Sequence, residues 1–361
     1  MTPGHGDRVL VTGASGFIGS ALVRALMSGG EHVVALVHPG ADNSALAELD
    51  VEQVPGDVRD PVSARRAVAG CRSVFHVAAL YRFWDRDPRS FYAVNVDGTR
   101  TVLTAAREAS VERVVYTSTV GTIGVDGDRG RPASELDYPD VRHLFGAYKR
   151  SKYVAEHEVL RAAAEGLPVS LVLPTFPLGP GDRAPTPTGQ LVLDFLDGRM
   201  PGYVDTALNV VHVEDVARGH ILARDRGASG RSYILGGQNL ALKDLLAELA
   251  ACTGLPAPTR RVPRAVALGV GWLSDTVEGR LLHRPPHVPL EAARMSSTRM
   301  AFDDARARSE LGYTSRPAAE AVRDSVHWFV DNRYVRNRRR LEVAREALDR
   351  TERDFRTRLG Q

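Results

Sequence analysis

Cysteine is scarce: only 2 of the 361 residues, Cys71 and Cys252, and neither has a CxxC or Cys/His neighbourhood. That excludes a disulfide framework and a thiolate metal site, and it fits a reducing cytoplasm. Long apolar runs are missing as well. The longest late one, "AVALGVGWL" at 265–273, is about half of the ~20 residues that a membrane span requires. The first residues, "MTPGHGDRVLVTG", lack the basic-then-apolar layout of a signal peptide. Nor is there a large excess of one charge, since 47 Lys+Arg against 44 Asp+Glu leave a net +3. A basic stripe able to track phosphodiesters is therefore not expected, and nucleic acid is set aside as a partner. No internal repeat is visible. These absences lead to the expectation of a soluble, cytoplasmic globular protein with no metal site and no membrane span.

What is present is a rhythm. "RVLVT" (8–12), "HVVALV" (32–37), "VEQV" (51–54), "SVFHVA" (73–78), "RVVYTST" (113–119) and "VSLVLP" (169–174) are short, apolar and bounded by turn residues. Segments of helical period separate them, among them 17–28 and 90–109. Near-continuous apolar strands alternating with helices predict an α/β domain with a doubly wound parallel sheet covered on both faces. After Pro174 the texture changes to "PTFPLGPGDRAPTPTG", which reads as a long irregular segment. Residues 1–174 are thus expected to form the domain built on this sheet, and 175–330 a smaller C-terminal lobe partly interleaved with the sheet. The arginine-dense 331–361 forms a tail. Leu341, Leu348, Phe355 and Leu359 make a narrow helical stripe in that tail, suited to docking on the body or on a partner, or simply to a solvated helix.

"VLVTGASGFIGS" joins a strand, a glycine turn and a helix start. Gly13 permits the tight turn, Gly16 lets backbone approach a pyrophosphate, and Gly19 lets the helix pack close to the strand. Free N–H groups at the helix start would meet the phosphates. Ser15, Phe17 and Ile18 belong to the same cofactor-binding turn. At the end of the second strand, where an acidic residue would accept the ribose 2′-hydroxyl, stands His38, which tilts the expectation from NAD(H) towards NADP(H). Asp57 and Val58, after the third strand, are candidates for the adenine edge, and Ala78, Pro174, Thr175 and Pro177 for the nicotinamide side.

"GAYKRSKYVAE" carries Tyr148, Lys149, Lys152 and Tyr153. Side chains four apart on a helix share a face, so Tyr148 pairs with Lys152, while Lys149 falls on another face and Tyr153 has His157 four residues on. Hydride transfer to a ketone leaves an alkoxide in need of a proton. A phenol with an ordinary pKa near ~10 serves at neutral pH only if a nearby cation lowers it. Tyr148 and Lys152 are expected to fill these roles.

The order TGxxGxxG, "HVAAL", "YTST", YxxxK resembles an extended short-chain dehydrogenase/reductase, over about residues 7–330. Within it, "YKRSK" and "PTPTG" are similar to the dihydroflavonol 4-reductase-like group, which includes proteins labelled hopanoid-associated sugar epimerases. The resemblance implies a Rossmann-type sheet, a third catalytic hydroxyl at Thr119 with Ser118 as alternative, and Asn95 holding the active-site helix and a water. By analogy it also implies a homodimer. Where epimerases carry an arginine and an asparagine for a sugar nucleotide, this chain has Leu173 and Phe176, while Tyr81, Phe83 and Trp84 follow the fourth strand near the expected substrate entrance. Thr186 and Tyr203 are further pocket candidates by position. The favoured function is oxidoreduction of a carbonyl on a hydrophobic small molecule. The alternatives are a nucleotide-sugar epimerase or dehydratase with transient hydride transfer, and a dinucleotide-sensing binding protein.

Overall fold

Strand and helix alternate through the first half as β1 (Arg8–Thr12), α1 (Phe17–Ser28), β2 (His32–Val37), β3 (Glu52–Pro55), α2 (Pro61–Val68), β4 (Ser73–His76), α3 (Arg89–Tyr92), α4 (Gly98–Glu108), β5 (Arg113–Thr117), α5 (Ala147–Ala164) and β6 (Val169–Pro174). This computed structural model describes residues 8–125, 131–296 and 298–358, the side chains of His143 and of 351–358 excepted. Beyond Pro174 follow β7 (Phe176–Leu178), α6 (Pro187–Asp197), β8 (Ala207–His212), α7 (Val213–Arg226), β9 (Ser232–Leu235), β10 (Gln238–Ala241), α8 (Leu242–Thr253), α9 (Arg264–Ser274), α10 (Leu290–Met295), α11 (Ala318–Asp331) and α12 (Arg338–Arg358).

The main sheet has seven strands in the order β3-β2-β1-β4-β5-β6-β9, every neighbouring pair parallel. Helices cover both faces, so both faces of a strand need apolar side chains: Val9, Leu10 and Val11 are successive and all fully buried. One core holds Leu10, Val34, Val74 and Val114 against α2, α4 and α5, and the other holds Val9, Val11, Ala35 and Phe75 against α1 and α7. The strand order reverses between β1 and β4, which opens a crevice at the strands' carboxyl ends, the place where such folds bind ligands.

Two expectations need correction. The stretch after Pro174 is not a single long loop, because it contains β7 and α6. Thr186 caps α6 by accepting from Gly189 N, and Pro187 sits at the first helical position, where its missing N–H is harmless, so a proline-rich texture concealed a helix start. The fourth and fifth strands are shorter than read, ending at His76 and Thr117. Thr12 Oγ1 meets the buried His76 Nδ1 at 2.7 Å and also accepts from Ala78 N, tying the chain leaving β4 to β1.

A second sheet of order β10-β8-β7 carries the remaining core, in which α6, α8 and α11 contribute Val192, Phe195, Leu245, Leu249, Val326 and Phe329. The arginine-dense tail docks on this body as α12, burying Ala344 and Leu348 with Leu341 at the margin. Of its expected stripe, the Phe355 side chain and Leu359 lie outside the described residues.

Candidate active site

Gly13 takes φ +67°, a backbone setting that disfavours any side chain, and a Cβ there would stand 2.7 Å from Ala78 N and Cα. The turn is therefore pressed against the loop after β4. Gly16 caps α1 without a side-chain hydrogen bond, leaving the first N–H groups of the helix to a ligand. From this point a groove of about 590 Å³ runs along the strand ends. Ser15, Phe17 and Ile18 line its start with the three glycines, and Ala78 lies at its middle. Ser118, Thr119, Tyr148 and Lys152 line its far end with Pro174, Thr175 and Pro177. A cradle of small residues at an uncapped helix start, leading to a tyrosine and a lysine, suits a dinucleotide with phosphates at one end and a reactive ring at the other.

Three residues expected at the adenine end lie outside this lining. Asp57 is taken up by Arg59, at 2.6 and 3.0 Å, with half-exposed His38 3.5 Å away. Val58 packs against Gly98 in the core. The groove wall there is formed by Ala41 and Asp42, with Arg183 from the β7–α6 loop. The carboxylate of Asp42, four residues beyond the position where an acid was sought, was missed because a Pro-Gly turn delays it.

At the reacting end the two hydroxyl candidates separate. Ser118 Oγ donates to Glu156 Oε2 (2.6 Å), a buried carboxyl whose pKa burial raises. Thr119 instead lines both the groove and an adjoining chamber, together with Tyr148. Burial pushes the Tyr148 phenol well above its ordinary pKa, and interaction with the Thr119 hydroxyl works the other way, so Tyr148 stands as a protonated donor.

Lys152 differs from expectation in its contacts. Its Nζ donates to Tyr116 Oη and to the Thr117 carbonyl, each at 2.7 Å, rather than to Tyr148. Burial lowers its pKa to about 7, partly offset by Glu156. The lowering of the tyrosine pKa by this lysine is thus not a feature of the protein alone. Asn95 lies behind the site, in a π-turn (Ala93–Asp97) between α3 and α4. It accepts from Leu80 N (2.7 Å), and its Nδ2 donates to Leu80 O (3.3 Å) and Ser151 Oγ (2.9 Å). This fastens the loop after β4 to α5, so Asn95 is a positioning residue.

The chamber beyond Tyr148 measures about 240 Å³ and is largely apolar, with Phe176, Leu191, Leu208, Met295 and Phe302 in its wall. Tyr81 packs against Tyr148 with centroids 4.8 Å apart, and Phe83 meets Tyr81 edge-on. Both line the chamber. Trp84 does not: its indole lies against Gly279. Tyr203 is also elsewhere, bridged to Arg261 and packed in the core of the second sheet. Thr186 reaches the groove, but its hydroxyl is engaged by Asp182 (2.8 Å) and the α6 cap.

Lys149, set aside from its helical phase, in fact lines the chamber and a second cavity of about 240 Å³ containing Arg264, Glu291 and Arg294. Helix spacing rightly separates it from Tyr148, but α10 comes across to make a second wall there. Glu291, buried on α10, has an Oε1 with no hydrogen-bond partner among the described residues. Burial raises its carboxyl above the usual range. No local signal marks Glu291; it reaches the site only because a carboxylate oxygen fits over Gly146, where a Cβ would lie 1.8 Å from it.

Known proteins place the chain in a family. Residues 9–236 match the NAD dependent epimerase/dehydratase family. A Synechocystis sp. protein provisionally named dihydroflavonol 4-reductase is 43% identical, over 91% of this chain and 96% of its own. Sterol demethylase protein B of Methylococcus capsulatus is 36% identical, over 89% and 97%. The crystal structure of gox2253 superposes with TM-score 0.81 at 42% identity, covering 91% of this chain and all of that one. The relatives carry enzyme names, which weighs against a dinucleotide sensor. The chain belongs to the NAD dependent epimerase/dehydratase family of extended short-chain dehydrogenases/reductases and is a nicotinamide-dependent oxidoreductase.

Proposed function

We propose that this protein reduces a carbonyl on a hydrophobic small molecule, or oxidises the matching alcohol, through Thr119, Tyr148 and Lys152. The observation that carries this reading is a shared wall: Thr119 and Tyr148 face the dinucleotide groove on one side and the apolar chamber on the other. A nicotinamide held along the groove would supply the hydride chemistry. Tyr148, protonated because it is buried, donates its phenolic proton to the oxygen of the substrate as that oxygen gains charge. Thr119 Oγ1 steadies the same oxygen by hydrogen bonding. Lys152 has three N–H donors, two of them committed to Tyr116 and Thr117, and the third serves the groove. Its positive charge favours the phenolate when the reaction runs towards oxidation. Tyr81 and Phe83 supply an apolar face for the substrate.

For the cofactor, NADP(H) is favoured over NAD(H): His38 rather than a carboxylate follows β2, and Arg183 offers a cation in the groove, with Asp42 acting in the opposite sense. Tyr148→Phe tests the catalytic reading. Cofactor affinity should persist while turnover of NADPH with carbonyl substrates falls by at least about a hundredfold, and retained turnover would overturn it. The charged cavity of Lys149, Arg264 and Arg294 supports the epimerase as a second reading, since these cations could meet a sugar nucleotide's phosphates. The two differ in stoichiometry, because a reductase consumes one NADPH per product and an epimerase returns its cofactor each turnover.

A further inference from the structure

The run "AVALGVGWL", too short to span a membrane, is the core of α9, and most of its apolar side chains are outside the protein. Val266, Val270, Leu273, Val277 and Leu281 are 53, 49, 56, 38 and 70% exposed. Their spacing of four, three, four and four places them on one line of the helix. The π-turn that continues α9 (Asp275–Leu281) preserves that line, because steps of four stay close to one face when the turn is wider. The stripe extends roughly 22 Å. Trp272 and Leu282 widen it, being 60 and 55% exposed. The opposite face is occupied: Gly271 is buried against Leu290 and Ala293 of α10, which leaves no room for a side chain.

Charge surrounds the stripe. Arg260, Arg280 and Arg284 are all exposed, and none forms an ion pair with a described residue, whereas Arg261 is paired with Asp205 and Arg264 lines the charged cavity from the opposite side of the helix. Over 260–288 five arginines stand against Asp275 and Glu278, and Glu278 is engaged by hydrogen bonds from Ser274 and His287. A twofold-related copy of the chain on this stripe would bring the arginines towards their own counterparts, which like-charge repulsion opposes. An apolar line with an exposed tryptophan and a cationic border matches instead the boundary between the acyl chains and anionic headgroups of a lipid leaflet.

We propose that α9 and its π-turn form an interfacial docking surface for an anionic lipid bilayer, on which the protein lies without spanning it. The inner side of the same helix contributes Leu268 and Arg264 to the charged cavity, and α10 contributes Ala292 and Met295 to the apolar chamber. Docking therefore sets the chamber wall one helix away from the leaflet.

The full chain should sediment with vesicles of phosphatidylcholine mixed with phosphatidylglycerol, and much less with phosphatidylcholine alone, and raised salt should reduce the binding. The double variant Leu273→Asp/Leu281→Asp, altered only at exposed positions, should bind anionic vesicles about tenfold or more weakly. The double variant Arg280→Glu/Arg284→Glu should lose the preference for phosphatidylglycerol. Both should keep the wild-type urea midpoint, so that each can stand in for the other if one folds poorly. The proposal is overturned if wild-type protein does not sediment with anionic vesicles, or if both variants sediment as it does. It is equally overturned if light scattering finds an assembly of copies that the Leu273→Asp/Leu281→Asp change dissolves, since a second copy would then own the stripe.

Discussion

Lys152→Met should remove turnover and, at the same time, change how the stability of the cofactor-free protein responds to pH. The ammonium is buried, and burial brings its pKa from 10.5 down to about 7. In the unfolded chain it stays protonated up to about 10.5, so between the two values the unfolded state binds more protons than the folded one. Stability contributed by this site therefore rises with pH through that window and is lowest below pH 7, where the folded state must bury the charge. From pH 7 to about pH 9 the gain is about 2 kcal/mol. Methionine fills the same space without a charge and should remove that slope. Its net effect on stability at pH 7 is smaller, because Tyr116 Oη and the Thr117 carbonyl then lose a donor. Glu156 and His76 face the same charge, so the comparison must be the difference between wild type and variant at each pH. Urea unfolding from pH 6 to about pH 9.5, with a constant m-value, measures it. Equal slopes in wild type and Lys152→Met would refute the reasoning, because they would mean that Lys152 does not lose its proton in the folded state within this range.

Gly19→Ala places a Cβ 2.0 Å from the Gly13 carbonyl oxygen, which is backbone and cannot swing aside. Urea unfolding should show a loss of roughly 3 kcal/mol, and calorimetry a weaker dinucleotide affinity; unchanged values in both would contradict the close helix–turn packing. Asn95→Ala strands Leu80 N–H and should cost roughly 2 kcal/mol of stability. Because Leu80 precedes Tyr81 beside Tyr148, kcat should fall more than KM rises, and Asn95→Asp, which still accepts from Leu80 N, should recover part of the loss. Asp42→Asn removes a carboxylate from the groove wall, so the ratio of NADPH to NADH affinity should rise several-fold; an unaltered ratio would place the 2′-position away from Asp42.

Much of this protein is determined locally and is therefore legible in the chain. The apolar strands at 8–12, 32–37 and 169–174, their parallel arrangement and the glycine turn all follow from patterns a few residues long. The pairing of Tyr148 with Lys152 on one side of α5 follows from helix geometry, and both do line one groove. What depends on distant packing is not legible. Lys152 turned to Tyr116 and Thr117 because β5 passes beneath α5, and local spacing says nothing of that strand. Trp84 and Tyr203 share composition with Tyr81 and Phe83, yet only the latter two face the chamber. Glu291 and Lys149 meet the site because α10, more than a hundred residues after the glycine turn, folds back across it. The sequence alone determined that a dinucleotide turn and a tyrosine–lysine helix exist, since each is a short-range consequence of backbone freedom and helical phase. Only the tertiary structure decided which side chains surround Tyr148, because burial and long-range contact, not residue type, select them.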